Sequence, residues 1–251
     1  MSYTNLSQVK TGDVLLFSGN SPTGFLLKTF VSSQWNHVGI AVRFKGKTVS
    51  LTEEGELYIY ETNTGKRWDD IFQCKVVGAS FSRASFVLPK YNKIACRPLH
   101  PSLRTQELKD FILPFALRTK GIRFPSGSLP FLGVWLGVPL QEKEEGGEVE
   151  MFCSELTAIF YGEYAGKQYN KLVASEATDI HLPTLFGNDM PVRADMFQPG
   201  HFSSELSPNA CIFAGSEFDI QVIYADMLYI ILQPLVIIIA IVVLIMMLLP
   251  R

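Results

Sequence analysis

A thiol, an imidazole and a carboxylate, at Cys153, His37 and Glu61, stand far apart along this chain and together have the residue types for nucleophilic acyl chemistry. Cys153 follows an acidic loop, Gln141 to Glu150, and opens a run in which Leu156, Ile159, Phe160 and Tyr164 fall at helical spacing. The spacing predicts that Cys153 lies in the first turn of a buried helix. There, unpaired backbone N–H groups and the positive end of the helix dipole favour a thiolate, and the same N–H groups can donate to an oxyanion. A lone cysteine on an apolar helix is equally a small core residue, so its partners decide the matter. The thiol needs a base within hydrogen-bond reach, and the base needs a group that holds its tautomer.

The elements that must position these residues follow from local patterns. Gly12 to Phe17 is a turn leading into a continuous apolar run, which predicts a buried strand. Trp35 to Phe44 opens with polar and aromatic residues and becomes a strand, with its turn at Lys45-Gly46-Lys47. Val49 to Thr52 and Leu57 to Thr62 then read as antiparallel partners, so His37 at one strand's start and Glu61 at another's end can share a sheet edge. Cys74 to Val77 and Ile94 to Pro98 read as further short strands, with Ser80 to Tyr91 irregular between them. Ser21-Pro22 would start one helix and Ser102 another, the second kinked at Pro114. Runs of strands with helices set apart predict an α+β domain, an antiparallel sheet packed on the Cys153 helix.

Composition narrows the function. The net charge of -2 comes with no basic stripe interleaved with aromatics, so nucleic acid is not an expected partner. Cys74, Cys96, Cys153 and Cys211 form no C-x-x-C pair, and His37, His100, His181 and His201 are scattered. No metal site and no cofactor is expected from that spacing. The polar start, Met-Ser-Tyr-Thr-Asn-Leu-Ser, lacks a signal-peptide apolar core, which favours reduced thiols in a cytosol-facing domain.

At the far end, residues 228–249 are uncharged and rich in Ile, Leu, Val and Met. Their 22 residues would make a helix roughly 33 Å long, matching a bilayer's hydrocarbon core. A single-pass C-terminal anchor is the expectation, with Pro234 kinking it near one interface and the bilayer as a partner. The chain then divides into a domain over 1–203, a connecting segment over 204–227 and the anchor over 228–249.

Four pieces in order resemble a known family. Gly12-Asp13-Val14-Leu15-Leu16-Phe17, Trp35-Asn36-His37-Val38-Gly39-Ile40-Ala41-Val42, Tyr60-Glu61-Thr62 and Phe152-Cys153-Ser154-Glu155-Leu156 look like the motifs of the permuted papain-like NlpC/P60 superfamily. The likeness is strongest to its amidase branch, and it covers roughly residues 10 to 200. The order histidine, acidic residue, cysteine is the permuted one. The resemblance implies a circularly permuted papain-like fold, with Cys153 as nucleophile, His37 as base and later acid, and Glu61 as the group that orients His37. Gly12-Asp13 would be a structural corner. Trp35 and Asn36 would shape the pocket, with Asn36 a candidate donor to the oxyanion. Glu155 is placed for dipole pairing or a buried hydrogen bond, and His181, outside any motif, for a surface or core position.

The expected function is a membrane-tethered cysteine hydrolase or acyltransferase acting on an amide or ester, with a lipid or membrane-protein substrate brought near by the anchor. The alternative is a catalytically idle anchored module that binds lipid or protein through the apolar stretch Phe124 to Trp135.

Overall fold

The computed structural model describes residues 2–19, 33–125, 150–172, 182–187, 191, 193–194 and 197–223. Eleven strands run β1 (Ser2–Tyr3), β2 (Val14–Ser18), β3 (His37–Lys45), β4 (Thr48–Ser50), β5 (Glu56–Glu61), β6 (Lys66–Asp69), β7 (Cys74–Val77), β8 (Ser80–Arg83), β9 (Lys93–Arg97), β10 (Phe218–Asp219) and β11 (Val222–Ile223) among these residues. The main sheet has the order β10-β9-β2-β3-β5-β8, with β4 beside β3, and every pairing in it is antiparallel.

The central strands are buried on both faces, which is why they read as unbroken apolar runs. Val14, Leu16, Val38, Ile40, Tyr58 and Tyr60 enter the larger core, which the helices cover. Leu15, Phe17, Ala41, Leu57 and Ile59 enter a smaller one on the other side. The helix Gln106–Thr119 buries Leu108, Ile112, Phe115 and Ala116 in the larger core and contains Pro114. Thr105, not Ser102, precedes it; Ser102 belongs to the short 3-10 turn Pro101–Leu103. The helix Cys153–Leu172 lies against β3 and β5 and sends Leu156, Phe160 and Tyr161 into the larger core. Ser80–Arg83, expected to be irregular, is the edge strand beside β5, its Ser-rich sequence carrying no alternating signal.

Two buried ions tie the elements together. Asp13, 1% exposed, accepts hydrogen bonds from the Lys10 and Leu99 amides through its carboxylate and forms an ion pair with Arg104; its carbonyl accepts from the Ala41 amide. Gly12 turns the chain into it at φ 88°, and a Cβ there would come within 2.7 Å of Leu99. Arg97, also 1% exposed, donates to the carbonyls of Phe202, Ser203 and Ser207 and to the Ser207 hydroxyl, and lies over the Phe213 ring. With β10 paired to β9 and Ala210, Ile212 and Phe213 in the core, the described part of 204–227 is packed into the same body and is not a free connector.

The sequence expectation of a permuted papain-like fold with a membrane helix needs correction. Among the described residues no helix is long and apolar enough to cross a membrane. The longest of them, Cys153–Leu172, carries Glu155, Glu163, Lys167 and Lys171, charges that hydrocarbon does not tolerate. The span expected over 228–249 lies outside the described residues. The architecture is therefore a mixed α/β fold with a mostly antiparallel sheet, and the anchored, cytosol-facing placement drawn from that span falls with it. The helix expected after Ser21-Pro22, His181 and most of the Phe124 to Trp135 stretch also lie outside the described residues. Phe124 itself packs edge-on against Phe152, with ring centroids 5.5 Å apart.

Candidate active site

β3 and β5 bring His37 and Glu61 together through their register. Ile40 faces Tyr60, so continuing the ladder sets Gly39 opposite Glu61, and His37 lies two residues further along the same side of β3. The two side chains are thus diagonal neighbours, and His37 Nε2 lies 2.6 Å from Glu61 Oε2. The absence of a side chain at Gly39 makes room for this reach. A Cβ there would stand 2.6 Å from Ile59 Cγ2 and 3.4 Å from Glu61 Cβ.

The second oxygen of Glu61 is also held. Arg67 Nη1, on β6, donates to Glu61 Oε1 at 2.5 Å and to Ser82 Oγ at 3.3 Å. Burial alone would push the Glu61 pKa up, but His37 and Arg67 outweigh it and hold the carboxyl below its ordinary value. Glu61, 1% exposed, is therefore an ionised acceptor fixed at both oxygens.

His37, with 12% of its side chain exposed, packs against two rings that also touch each other. Tyr91 is stacked on it at 5.7 Å with an interplanar angle of 4°, and Phe17 lies 5.5 Å away. The Cys153 thiol completes the arrangement, standing beside the imidazole near enough to act on its charge. Because Nε2 is turned to Glu61, Nδ1 is the ring nitrogen left for the thiol. Burial opposes a charged imidazolium, but the Tyr91, Cys153 and Glu61 groups around the ring outweigh it, and the His37 pKa lies well above its ordinary value. Tyr91 has its own pKa raised by burial and is neutral at pH 7, so Glu61 is the lasting negative charge facing the ring.

Cys153 is the first residue of its helix and is 5% exposed. The first backbone bond there runs from the Leu156 amide to the Phe152 carbonyl, so the Cys153 and Ser154 amides precede the helical ladder. Glu155 accepts from the Phe152 amide at 3.3 Å, the reach-back of a helix cap, and Ser154 Oγ donates to the Phe197 carbonyl at 2.6 Å. Both contacts fix the helix start without entering the chemistry.

The other residues singled out in the sequence lie elsewhere. The Asn36 amide exchanges two hydrogen bonds with the Gly19 backbone at 3.0 Å, so it holds β2 to β3 and is not turned to an oxyanion. Trp35 is 1% exposed and a core residue, and Asp13 holds the corner described above. Sequence reasoning missed Arg67, Tyr91 and Gly39. Arg67 had one legible signal, since a carboxylate at a strand end among apolar residues requires a cation nearby.

No family model matches the chain, and no curated protein matches it. Among solved structures, the crystal structure of metalloprotein yiiX from Escherichia coli O157:H7, labelled DUF1105, is similar at a TM-score of 0.49 and 14% identity, over 85% of this chain and 98% of that one. Among the described residues of this chain, no group of three or more His, Cys, Asp or Glu side chains is placed to hold a metal ion.

Proposed function

We propose that the protein is a cysteine hydrolase or acyltransferase that opens an amide or ester through a thioester. The observation that carries this reading is the imidazole of His37, 2.6 Å from Glu61 and beside the buried Cys153 at the start of its helix. The ordered motifs that resemble the NlpC/P60 superfamily support it further.

Cys153 Sγ, its proton already held by His37, attacks the carbonyl carbon, and a sulfur–carbon bond forms. The tetrahedral oxyanion accepts from N–H groups at the helix start. Its collapse breaks the bond to the leaving nitrogen or oxygen, which takes the proton from His37. Water, giving a proton to His37, then attacks the thioester and releases the acid; the thiolate is regenerated beside the protonated ring. An alcohol or amine in place of water gives transfer. Glu61 keeps the ring in one orientation and stabilises its charged form.

Labelling with an iodoacetamide probe tests the proposal on the full chain. Cys153 is expected to react well ahead of Cys74, Cys96 and Cys211, and His37→Ala to remove that advantage. Equal reactivity of Cys153 in the wild type and His37→Ala would overturn it. Turnover of peptide and ester panels, with Cys153→Ser as control, then separates amide from ester chemistry.

A further inference from the structure

We propose that a cavity between the leading segment and the far ends of β3 and β5 binds a small monocarboxylate with a short apolar chain, its carboxylate held by Arg43. This site is separate from the thiol and stands whether or not the hydrolase reading holds. Arg43 is six residues along β3 from His37, about 20 Å at the rise of a strand.

Arg43 is 6% exposed. It donates from Nε to the Val9 carbonyl at 2.6 Å, from Nη1 to the Gly55 carbonyl at 2.9 Å and from Nη2 to the Leu6 carbonyl at 2.7 Å. A guanidinium carries five N–H groups, so one on each terminal nitrogen is left without a partner among the described residues. The three carbonyls orient the group but leave its charge unmatched. Glu53 and Asp13, the acids whose charge reaches it, are themselves paired with Lys10 and Arg104.

Arg43 also lines a cavity of about 280 Å³, close to the lower end of the size range of small-molecule sites. Leu6, Leu57 and Ala84 give the cavity an apolar wall continuous with the smaller core. Ser7 and Ser85, both exposed, mark its open side. Glu56 borders it as well, but its carboxylate is engaged by the Tyr58 hydroxyl at 3.2 Å and by Arg83 at 3.4 Å.

These features select the ligand. An unmatched cation disfavours amines, and two carboxylate oxygens can take the two spare N–H groups together. The apolar wall favours an alkyl carboxylate over a hydrated inorganic anion, because the chain is buried along with the charge. Arg43 is already held by its carbonyl bonds, so little ordering remains to be done on binding.

Calorimetry on the full chain at pH 7 with hexanoate, hexanol, hexylamine and inorganic phosphate tests the site. Hexanoate is expected to bind one to one and at least about tenfold tighter than the other three, the order of a charge-assisted hydrogen bond. Ser85→Trp puts a large ring at the open side of the cavity and is expected to abolish hexanoate binding while leaving the thermal midpoint without ligand unchanged. Arg43→Met is expected to remove the preference for hexanoate over hexanol; should that variant not fold, Ser85→Trp decides. No hexanoate binding in the wild type, equal binding in wild type and Ser85→Trp, or hexanol or phosphate binding as tightly as hexanoate would overturn the proposal.

Discussion

His37 and Arg67 share a single carboxylate: Glu61 gives one oxygen to the imidazole at 2.6 Å and the other to the guanidinium at 2.5 Å. This division makes Glu61 a fixed acceptor with no freedom to rotate, and it sets the ring nitrogen that faces Cys153.

Replacing the carboxylate by an amide should therefore misdirect the imidazole with little change in shape. Glu61→Gln is expected to lower turnover on the order of a thousandfold, as loss of the orienting group does in triads, and to leave Arg67 without its counter-charge. Comparing kcat for Glu61→Gln and Glu61→Asp on one ester checks this. Turnover within about threefold of wild type for Glu61→Gln would remove Glu61 from the mechanism.

Stability should peak in a defined pH window. The Glu61 pKa is held below 4.5, so its contribution is present above 4.5 and lost as pH falls through the folded value. The His37 pKa is raised above 6.5, so its contribution is complete below 6.5 and lost as pH rises through the folded value. The difference in thermal midpoint between wild type and His37→Gln should be largest between those limits and shrink on either side. A difference that keeps growing as the solution becomes more alkaline would contradict a raised His37 pKa.

Gly39 is expected to tolerate no side chain. Gly39→Ala forces a methyl to within 2.6 Å of Ile59 Cγ2 and crowds Glu61, and overpacking of this kind destabilises by roughly 1–3 kcal/mol. Denaturant unfolding measures the loss. Cys153 labelling should fall as well, because the displaced strand carries Glu61.

The Tyr91 ring, more than its hydroxyl, should matter for holding His37. Tyr91→Phe keeps the stack and is expected to retain turnover within about twofold, whereas Tyr91→Ala should lose about tenfold, the order of one aromatic contact. Equal losses in both variants would shift the role to the hydroxyl.

The parts of this site that are legible in the sequence are those fixed by short-range pattern. A helix beginning at Cys153 follows from apolar spacing, whereas the turn at Lys45-Gly46-Lys47 leads only into β4, and His37 meets Glu61 because β5 pairs directly with β3 on the side away from β4. A cation for Glu61 is called for by its apolar surroundings, but that Arg67 supplies it and that Tyr91 covers His37 are not legible, because they approach from the β6–β7 hairpin and from the turn after β8, whose placement depends on tertiary packing. Residues after 203 mislead for a similar reason. Short of periodicity, they look like a connecting segment, whereas the pairing of β10 with β9, the buried Ala210, Ile212 and Phe213, and the Arg97 bonds to Ser207 pack them into the body. The membrane helix rests on hydropathy alone, and among the described residues no helix meets that requirement.

The pairing of β1 with β11 gives the molecule a seam. Ser2 faces Ile223 and Tyr3 faces Val222, while Arg43 grips the carbonyls of Leu6 and Val9 just inside that seam. Trimming the first few residues would thus unzip the last described strand, and loosening residues 218–223 would free the leading segment. Damage at either margin is transmitted to the opposite one, so the two margins open and close as a single latch.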